Sequence, residues 1–274
     1  MPFSNQEKSL PLSDLLSLKG RDALVVGGAG LLGGEISNVL AELGARVVVA
    51  SRDLEKCKRF AASLAVCREG QNHEALPVDI ADPASIRELI DRVAEVTGGG
   101  LDILVNSGWS GRKNTFNSIS DEDWNYDIEI CLNGVFRCVK AAVPLLAQRK
   151  GVILSIASMY GHVAPDYRLY DSEKLANPPS YGAAKAGVIQ LTKYLASFLS
   201  PQGIRANCIS PGPFPFESTQ RENPEFIARL KGKNPLNRLG EPQDIKGVAA
   251  VLCTDAGKYI TGQNVCVDGG WAVW

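Results

Sequence analysis

The feature that most constrains this chain is a glycine-rich turn between a strand-like run and a helix-like run. Residues 23–26 (ALVV) are wholly apolar and lead directly into residues 27–34 (GGAGLLGG). Apolar residues then recur at the spacing of one helix face, at Ile36, Val39, Leu40 and Leu43. Glycine lets the backbone turn tightly and approach a pyrophosphate, whose charge the N-terminus of the following helix stabilises. This order of elements therefore predicts a phosphate-binding loop for a dinucleotide.

The rest of the chain repeats the alternation of short apolar strands and amphipathic helices. Strand-like runs are found at 46–50, 75–80, 101–105 and 151–156, and helix-like runs at 54–64, 83–96 and 121–147, the last capped by Asp121. Such alternation predicts right-handed crossovers and a parallel sheet with helices on both faces. We therefore expect an α/β protein with a single doubly wound Rossmann domain over residues 21–274, preceded by a polar lead-in at 1–20. Ligands should bind beyond the carboxyl ends of the strands.

Composition argues against several classes of partner. The net charge of −1 provides no basic field for nucleic acid or an anionic membrane, and 274 residues with 45% hydrophobic content can bury one large core. We find no apolar run of the ~18 residues that a bilayer span needs, and residues 1–8 lack the apolar core of a signal peptide. The seven cysteines have no Cys-x-x-Cys spacing and there are only two histidines. We therefore expect reduced thiols, a cytoplasmic location and no metal site.

The residues after the second strand bear on the choice of cofactor. Where NAD-binding folds place a carboxylate for the ribose hydroxyl, this chain has Ser51 followed by Arg52. A hydroxyl and a guanidinium suit a 2′-phosphate, because arginine offers planar, charge-assisted donors. We expect NADP, whereas the neighbouring Asp53 leaves NAD as the alternative.

Tyr181 and Lys185 lie four residues apart at the start of another run with helical spacing. This spacing places the phenol and the ammonium on one helix face, one turn apart. An ammonium ~5 Å away would favour the phenolate by roughly 3 kcal/mol at an effective dielectric of ~20, about two pKa units. We therefore expect Tyr181 to exchange a proton with an alcohol oxygen. An incidental surface pair is the alternative.

Together these motifs resemble the short-chain dehydrogenase/reductase family, from about residue 20 to the C-terminus. The matching runs are the glycine turn, Asn106-Ser107-Gly108-Trp109, Tyr181 with Lys185, residues 204–212 (IRANCISPG) and Asp268-Gly269-Gly270. The resemblance implies a Rossmann oxidoreductase that forms a homotetramer and acts on a small-molecule carbonyl or alcohol. It also implies that Ser158 holds the substrate oxygen, that Tyr181 transfers the proton, and that Lys185 binds the nicotinamide ribose.

The motifs and the resemblance together give a full set of expected binding residues. The expected cofactor-binding residues are Gly27, Gly30, Leu32, Gly33, Ser51, Arg52, Asp79, Ile80, Asn106, Tyr181, Lys185, Pro211 and Gly212. The expected substrate contacts are Trp109, Ser158, Tyr167 and Tyr170.

The chain departs from the family pattern at three places near the reacting atoms. Trp109 stands in place of a glycine, and Cys131 stands in place of the helix asparagine that supports a water beside the lysine. A thiol is a weak hydrogen-bonding group, so we expect an altered proton relay.

The third departure is the segment 163–180, which is longer than usual and rich in charged and tyrosine side chains. We expect it to be a lid over a sugar-like or other polar hydroxy-ketone. The combination of glycine loop, altered residues 106–109 and long segment resembles reductases of bacterial surface-sugar and flagellin-glycan pathways. A surface insertion without a role is the alternative.

Two functions remain as hypotheses. The first is an NADP(H)-preferring oxidoreductase that transfers a hydride between the nicotinamide and a carbonyl or secondary alcohol. The second is a dinucleotide-binding protein with little catalysis, acting as a sensor or assembly partner. Cys131 alone favours the second, whereas the intact Ser158, Tyr181 and Lys185 favour the enzyme.

Overall fold

A single parallel sheet forms the centre of the protein, whose computed structural model describes residues 9–112, 114–172 and 175–274. The strands are β1 (Asp22–Val26), β2 (Arg46–Ser51), β3 (Glu74–Pro77), β4 (Ile103–Asn106), β5 (Val152–Ile156), β6 (Arg205–Pro211) and β7 (Asn264–Val267). They lie in the order β3-β2-β1-β4-β5-β6-β7, and every neighbouring pair is parallel. The connections change direction between β1 and β4, as in a doubly wound Rossmann fold. The predicted fold class is confirmed.

Helices cover both faces of this sheet. They are α1 (Leu12–Leu15), α2 (Leu31–Glu42), α3 (Leu54–Ser63), α4 (Pro83–Thr97), α5 (Asp121–Ile128), α6 (Gly134–Arg149), α7 (Pro179–Phe198), α8 (Glu217–Glu222), α9 (Pro224–Lys233) and α10 (Lys246–Cys253). Val25 packs in one apolar layer with residues of α2 and α10. Its neighbours Leu24 and Val26 pack in the opposite layer, with residues of α4 and α6. Since consecutive side chains alternate between sheet faces, a strand covered on both sides must be apolar throughout.

The predicted helix 121–147 is interrupted near its middle. α5 is followed by a π-helical turn, Glu129–Asn133, and then by α6. Ser120, not Asp121, is the N-cap of α5, because its Oγ accepts a hydrogen bond from the Asp123 N–H at 3.1 Å. A π-helical turn adds one residue to a helical turn and is frequent at functional sites. Here it contains Cys131.

The same run corrects one sequence-based expectation. Residues 121–149 form a helical run that is long and apolar enough to cross a bilayer, with a mean hydropathy of 1.5 over its best window. Its residues Cys138, Val139, Ala142 and Leu146 are buried in the layer that contains Leu24. The apolar content of the run therefore serves the protein core.

Smaller differences from the prediction occur at the edges. β3 ends at Pro77, earlier than expected, because the chain turns at Asp79, whose Oδ1 accepts a hydrogen bond from the Ala81 N–H at 3.0 Å. Leu18 in the predicted lead-in is buried, and its N–H donates to the Leu43 carbonyl at 2.8 Å. All seven cysteines are free thiols, as expected, although Cys67 and Cys266 are exposed.

Candidate active site

The glycine-rich loop lies where β1 ends and α2 begins, at the carboxyl edge of the sheet. Gly27 has φ +79°, and a Cβ there would lie 2.6 Å from the Gly108 nitrogen in the loop after β4. A Cβ at Gly33 would overlap the Gly27 carbonyl oxygen. Gly30 is the N-cap of α2 and has no side chain to use up the first N–H groups of the helix. The loop is therefore a side-chain-free cradle at a helix N-terminus, which fits a pyrophosphate.

The carboxyl end of β2 supplies cations to the same cavity. Arg52 and Lys56 are both exposed side chains on the cavity wall. Asp53 is the N-cap of α3 and accepts a hydrogen bond from the Lys56 N–H at 2.9 Å, so its carboxylate is partly engaged. The Ser51 Oγ lies 3.0 Å from the Cys57 Sγ. Lys56 was absent from the sequence-based prediction, although its place in the first turn after Arg52 was a usable signal.

The next strand ends complete the side of the cavity near the loop. Asp79 and Ile80 line it after β3, and Ser107 and Gly108 line it after β4. Asn106 lies beneath this surface and is absent from the cavity wall. It is buried, its Nδ2 lies 3.5 Å from the Ser155 Oγ, and its Oδ1 has no partner among the described residues. The structure thus brings the predicted cofactor residues together with the exception of Asn106.

Ser158, Tyr181 and Lys185 converge at the carboxyl end of β5. Ser158 follows β5, and its Oγ accepts a hydrogen bond from the Tyr160 N–H at 3.1 Å. Tyr181 and Lys185 lie one turn apart on α7, with the Lys185 Nζ 5.7 Å from the centroid of the Tyr181 ring. The Nζ donates to the Ile156 carbonyl at 2.8 Å, which anchors the lysine to the end of β5. All three side chains line the cavity.

The electrostatics of this group differ from the expectation drawn from spacing alone. Burial raises the pKa of Tyr181 to about 12, although a hydrogen bond with Ser158 acts in the opposite direction. Burial also lowers the pKa of Lys185. The predicted lowering of the tyrosine pKa is wrong, because desolvation of the phenolate outweighs the opposing hydrogen bond with Ser158.

Cys131 faces the same region from the π-helical turn. It is buried, and its Sγ lies 3.5 Å from the Ser110 carbonyl oxygen. Burial raises the pKa of the thiol, the charge of Asp127 raises it further, and Lys185 acts in the opposite direction. The thiol is therefore neutral near pH 7, and it offers Lys185 only a weak hydrogen-bond partner.

Trp109 and the segment 163–180 form part of the outer wall. The Trp109 and Tyr181 rings meet edge to face, with centroids 6.2 Å apart, and the indole is 52% exposed. In the segment, Tyr170 lines the cavity and its hydroxyl lies 2.6 Å from that of Tyr160. Tyr167 is absent from the wall and half exposed. The prediction that Tyr167 contacts substrate therefore gains no support from its position.

The charged groups of this segment are largely engaged with each other or with α9. Asp166 forms a two-point ion pair with Arg168, and Asp171 accepts from the Arg229 guanidinium at 2.7 Å. Residues 173 and 174 lie outside the described residues. Asp166, Arg168 and Asp171 do not line the cavity, so the prediction that this polar segment covers a polar substrate gains no support from these three side chains.

An apolar wall that the sequence analysis missed completes the cavity. It comes from the loop after β6 and from α9, and consists of Phe214, Phe216, Phe226 and Leu230. The Phe226 ring lies 5.3 Å from that of Tyr170. The pattern Pro211-Gly212-Pro213-Phe214-Pro215-Phe216 was the available signal, because prolines and aromatic rings in a loop beside a cofactor site favour a rigid apolar surface.

All of these surfaces bound one cavity of about 780 Å³, to which Pro211 and Gly212 also contribute. Its size and its place at the carboxyl edge of the sheet are typical of ligand sites in doubly wound folds. Among residues 9–112, 114–172 and 175–274, no group of three or more His, Cys, Asp or Glu side chains could hold a metal ion.

Comparison with known proteins identifies the family. Residues 29–272 match the family described as Enoyl-(Acyl carrier protein) reductase. The rhamnolipids biosynthesis 3-oxoacyl-[acyl-carrier-protein] reductase of Pseudomonas aeruginosa is 32% identical over 93% of this chain and 97% of its own length.

Solved structures agree with this match. A short-chain type dehydrogenase/reductase from Mycobacterium marinum is 28% identical, with a TM-score of 0.83 over 97% of this chain and 100% of its own. A gluconate 5-dehydrogenase from Burkholderia cenocepacia, solved in complex with NADP and tartrate, is 29% identical, with a TM-score of 0.84 over 96% and 100% of the two chains. The chain belongs to the short-chain dehydrogenase/reductase family of NAD(P)-dependent oxidoreductases.

Proposed function

We propose that this protein is an NADP(H)-preferring oxidoreductase that interconverts a carbonyl and a secondary alcohol. The observation that carries the proposal is the convergence of Ser158, Tyr181 and Lys185 with the glycine loop and Arg52 in one cavity. The cofactor fits because the cradle excludes side chains where a pyrophosphate would lie. Arg52 and Lys56 provide two cations for a 2′-phosphate, and one oxygen of the Asp53 carboxylate is used to cap α3. The NADP complex of the related gluconate 5-dehydrogenase supports this choice.

The residues of the site divide the chemistry between them. A bound nicotinamide would supply or accept the hydride at the carbonyl carbon. Ser158 would donate a hydrogen bond to the carbonyl oxygen and orient it toward the phenol of Tyr181, which would give up its proton as the oxygen becomes negative. Lys185 uses one of its donors on the Ile156 carbonyl, and the others would hold the nicotinamide ribose. In the oxidation direction, the tyrosine takes the proton back from the alcohol.

For the substrate we propose a sugar-like or other polar hydroxy-ketone. Its support comes from the aromatic rings of Trp109, Tyr170 and Phe226, which can stack on a sugar ring, and from polar groups such as Asn177 on the same wall. The test is a comparison of kcat/KM for keto-sugars, sugar acids and 3-oxoacyl thioesters, with NADPH in excess. Higher kcat/KM for acyl thioesters than for every polar hydroxy-ketone would exclude the sugar-type substrate.

Removing the lid gives a second test of the same proposal. Shortening the segment 163–180 to the usual family length, with residues 178–180 kept because they begin α7, should raise KM for the preferred substrate far more than it raises the Kd for NADPH, because Tyr170 and Asn177 line the cavity. An unchanged KM in the shortened protein would make the segment a surface insertion.

A second candidate function, a dinucleotide-binding protein with little catalysis, is favoured by one observation. Cys131 occupies the position of the relay asparagine and is a neutral, buried thiol. Tight NADPH binding without turnover of any carbonyl in the screen would favour this candidate over the enzyme.

We also propose that the protein is a cytoplasmic homotetramer. Phe136, Tyr194 and Phe198 are 47%, 59% and 61% exposed on α6 and α7, and the Tyr194 and Phe198 rings stack at 5.6 Å. Exposed aromatic groups of this kind are typical of surfaces that become covered. Light scattering during gel filtration should report four copies, and Phe198→Glu should dissociate them; a monomeric unmodified protein would exclude the tetramer.

A further inference from the structure

A buried carboxyl group stands close to the proposed catalytic residues without touching the substrate cavity. Asp127 is on α5 and is 1% exposed. Its Oδ2 accepts a hydrogen bond from the Ser180 Oγ at 2.5 Å, and its Oδ1 accepts one from the Arg112 backbone N–H at 3.0 Å. Burial of a carboxyl group away from water is unfavourable unless the group is well partnered. These two contacts are therefore the reason that the group can be buried here.

The first contact anchors the turn that carries Tyr181. α7 begins at Pro179, its N-cap Pro178 provides no side-chain hydrogen bond, and Tyr181 lies in the first turn. Helix ends without a capping side chain are prone to fray. Ser180 is fully buried, so its bond to Asp127 ties this turn to α5 at the residue directly before the tyrosine.

The second contact anchors the loop that carries Trp109. Arg112 is bound through its backbone, while its side chain pairs with Asp123 on the surface. A Cβ added at Gly111 would lie 3.5 Å from the Asp127 Oδ1 and 3.6 Å from the Trp109 ring, so the loop packs closely around the carboxyl group. One side chain thus joins α5 to both segments whose rings meet edge to face over the cavity.

We propose that Asp127 is a positioning residue that holds Tyr181 and Trp109 in register over the reacting carbonyl. The inference rests on the proposed oxidoreductase function. Proton transfer needs a donor and an acceptor about 2.6–3.2 Å apart, and a displacement of ~1 Å costs on the order of 100-fold in rate. A side chain that fixes the first turn of α7 therefore acts on kcat without contacting the substrate.

The test compares Asp127→Ala and Ser180→Ala with the unmodified protein. Alanine at position 127 removes both acceptor oxygens and so breaks both contacts, whereas Ser180→Ala removes the helix contact alone. We expect kcat to fall on the order of 10- to 100-fold in both variants, with the Kd for NADPH unchanged. The double variant should lose no more activity than Asp127→Ala alone, because both changes break the same link.

A matched control comes from the same helix. Thr192 is buried on α7, and its hydroxyl donates to the Val188 carbonyl at 2.8 Å within the helix. Thr192→Val removes a buried hydroxyl without releasing the first turn, so kcat should stay at the unmodified value. A similar fall of kcat in Thr192→Val would overturn the inference. So would a lower melting temperature together with weaker NADPH binding in Ser180→Ala, because the Asp127–Ser180 contact would then stabilise the whole fold.

Hydrogen exchange tests the link without any turnover. Peptides covering 107–112 and 178–185 should both exchange faster in Asp127→Ala, and only the second should do so in Ser180→Ala. Unchanged exchange in both variants overturns the inference, as does an unchanged kcat in variants of an active protein. An unmodified protein that binds NADPH and turns over no carbonyl would instead refute the proposed function, and the exchange data would still decide the role of Asp127.

Discussion

Replacing Arg52 with alanine should weaken the binding of NADPH much more than that of NADH. The two cofactors differ only in the 2′-phosphate, and Arg52 and Lys56 are the cations on the cavity wall at the carboxyl end of β2. The loss of one guanidinium therefore removes a contact that NADH never makes. Since Lys56 remains, we expect Arg52→Ala to reduce the preference for NADPH and Arg52→Ala with Lys56→Ala to abolish it.

The magnitude follows from the exposure of the contact. A hydrogen bond to a charged group contributes about 1.5–3 kcal/mol in partly buried settings, and Arg52 is exposed, so screening by salt reduces this. We expect the ratio of the two Kd values to fall by about 5- to 150-fold, which corresponds to ~1–3 kcal/mol. The effect should be larger at low ionic strength than at high.

The assay is a titration of each cofactor followed by the change in tryptophan fluorescence, at two salt concentrations. Lys58→Ala is the control, since Lys58 lies on the same helix but pairs with Glu55 outside the cavity wall. It should leave both Kd values unchanged. Equal affinities for NADPH and NADH in the unmodified protein, or an equal loss of both in Arg52→Ala, would refute the reasoning.

Four further predictions concern the loop and the proton path. Tyr181→Phe should lower kcat by at least ~100-fold and leave the Kd for NADPH unchanged, because the ring still packs and only the proton is lost; substantial turnover would reveal another acid. Because burial raises the pKa of Tyr181 to about 12, the rate of carbonyl reduction should be flat with pH near neutrality, whereas alcohol oxidation should rise with pH. Cys131→Asn should give equal or higher kcat, and a large loss would assign the thiol a role of its own. Gly33→Ala should abolish cofactor binding, because its Cβ would overlap a carbonyl oxygen, whereas Gly247→Ala, which has open space in α10, should stabilise the fold by about 0.5–1 kcal/mol in a thermal melt.

Gly33 and Tyr181 differ in how far their properties depend on distant parts of the chain. A glycine cradle between a strand and a helix is a local pattern, and both flanking elements confirm it. The spacing of Tyr181 and Lys185 on one helix is also local, and both side chains line the same cavity. The pKa of Tyr181 is not local, because it depends on how much water the surrounding chain excludes, and the prediction of its direction was wrong.

The environment of the polar residues in the segment 163–180 also depends on tertiary structure. Its charges suggested a polar substrate, but Asp171 pairs with Arg229, which is 58 residues away in sequence. Only the folded chain decides whether a charged side chain faces a ligand or a neighbouring helix. Composition alone could not separate Tyr170, which lines the cavity, from Tyr167, which does not.

Local sequence patterns predicted the order of strands and helices along the chain, the glycine cradle, Arg52 after β2, Ser158 at a strand end, and Tyr181 and Lys185 on one helix face. These features depend on periodicity, turn chemistry and spacing within a few residues, which a linear chain displays directly. Tertiary structure decided the high pKa of Tyr181, the apolar wall around Phe226, and the contact of Asp127 with Ser180 across 53 positions. Each of these depends on desolvation or packing between distant segments, and folding alone brings such segments together.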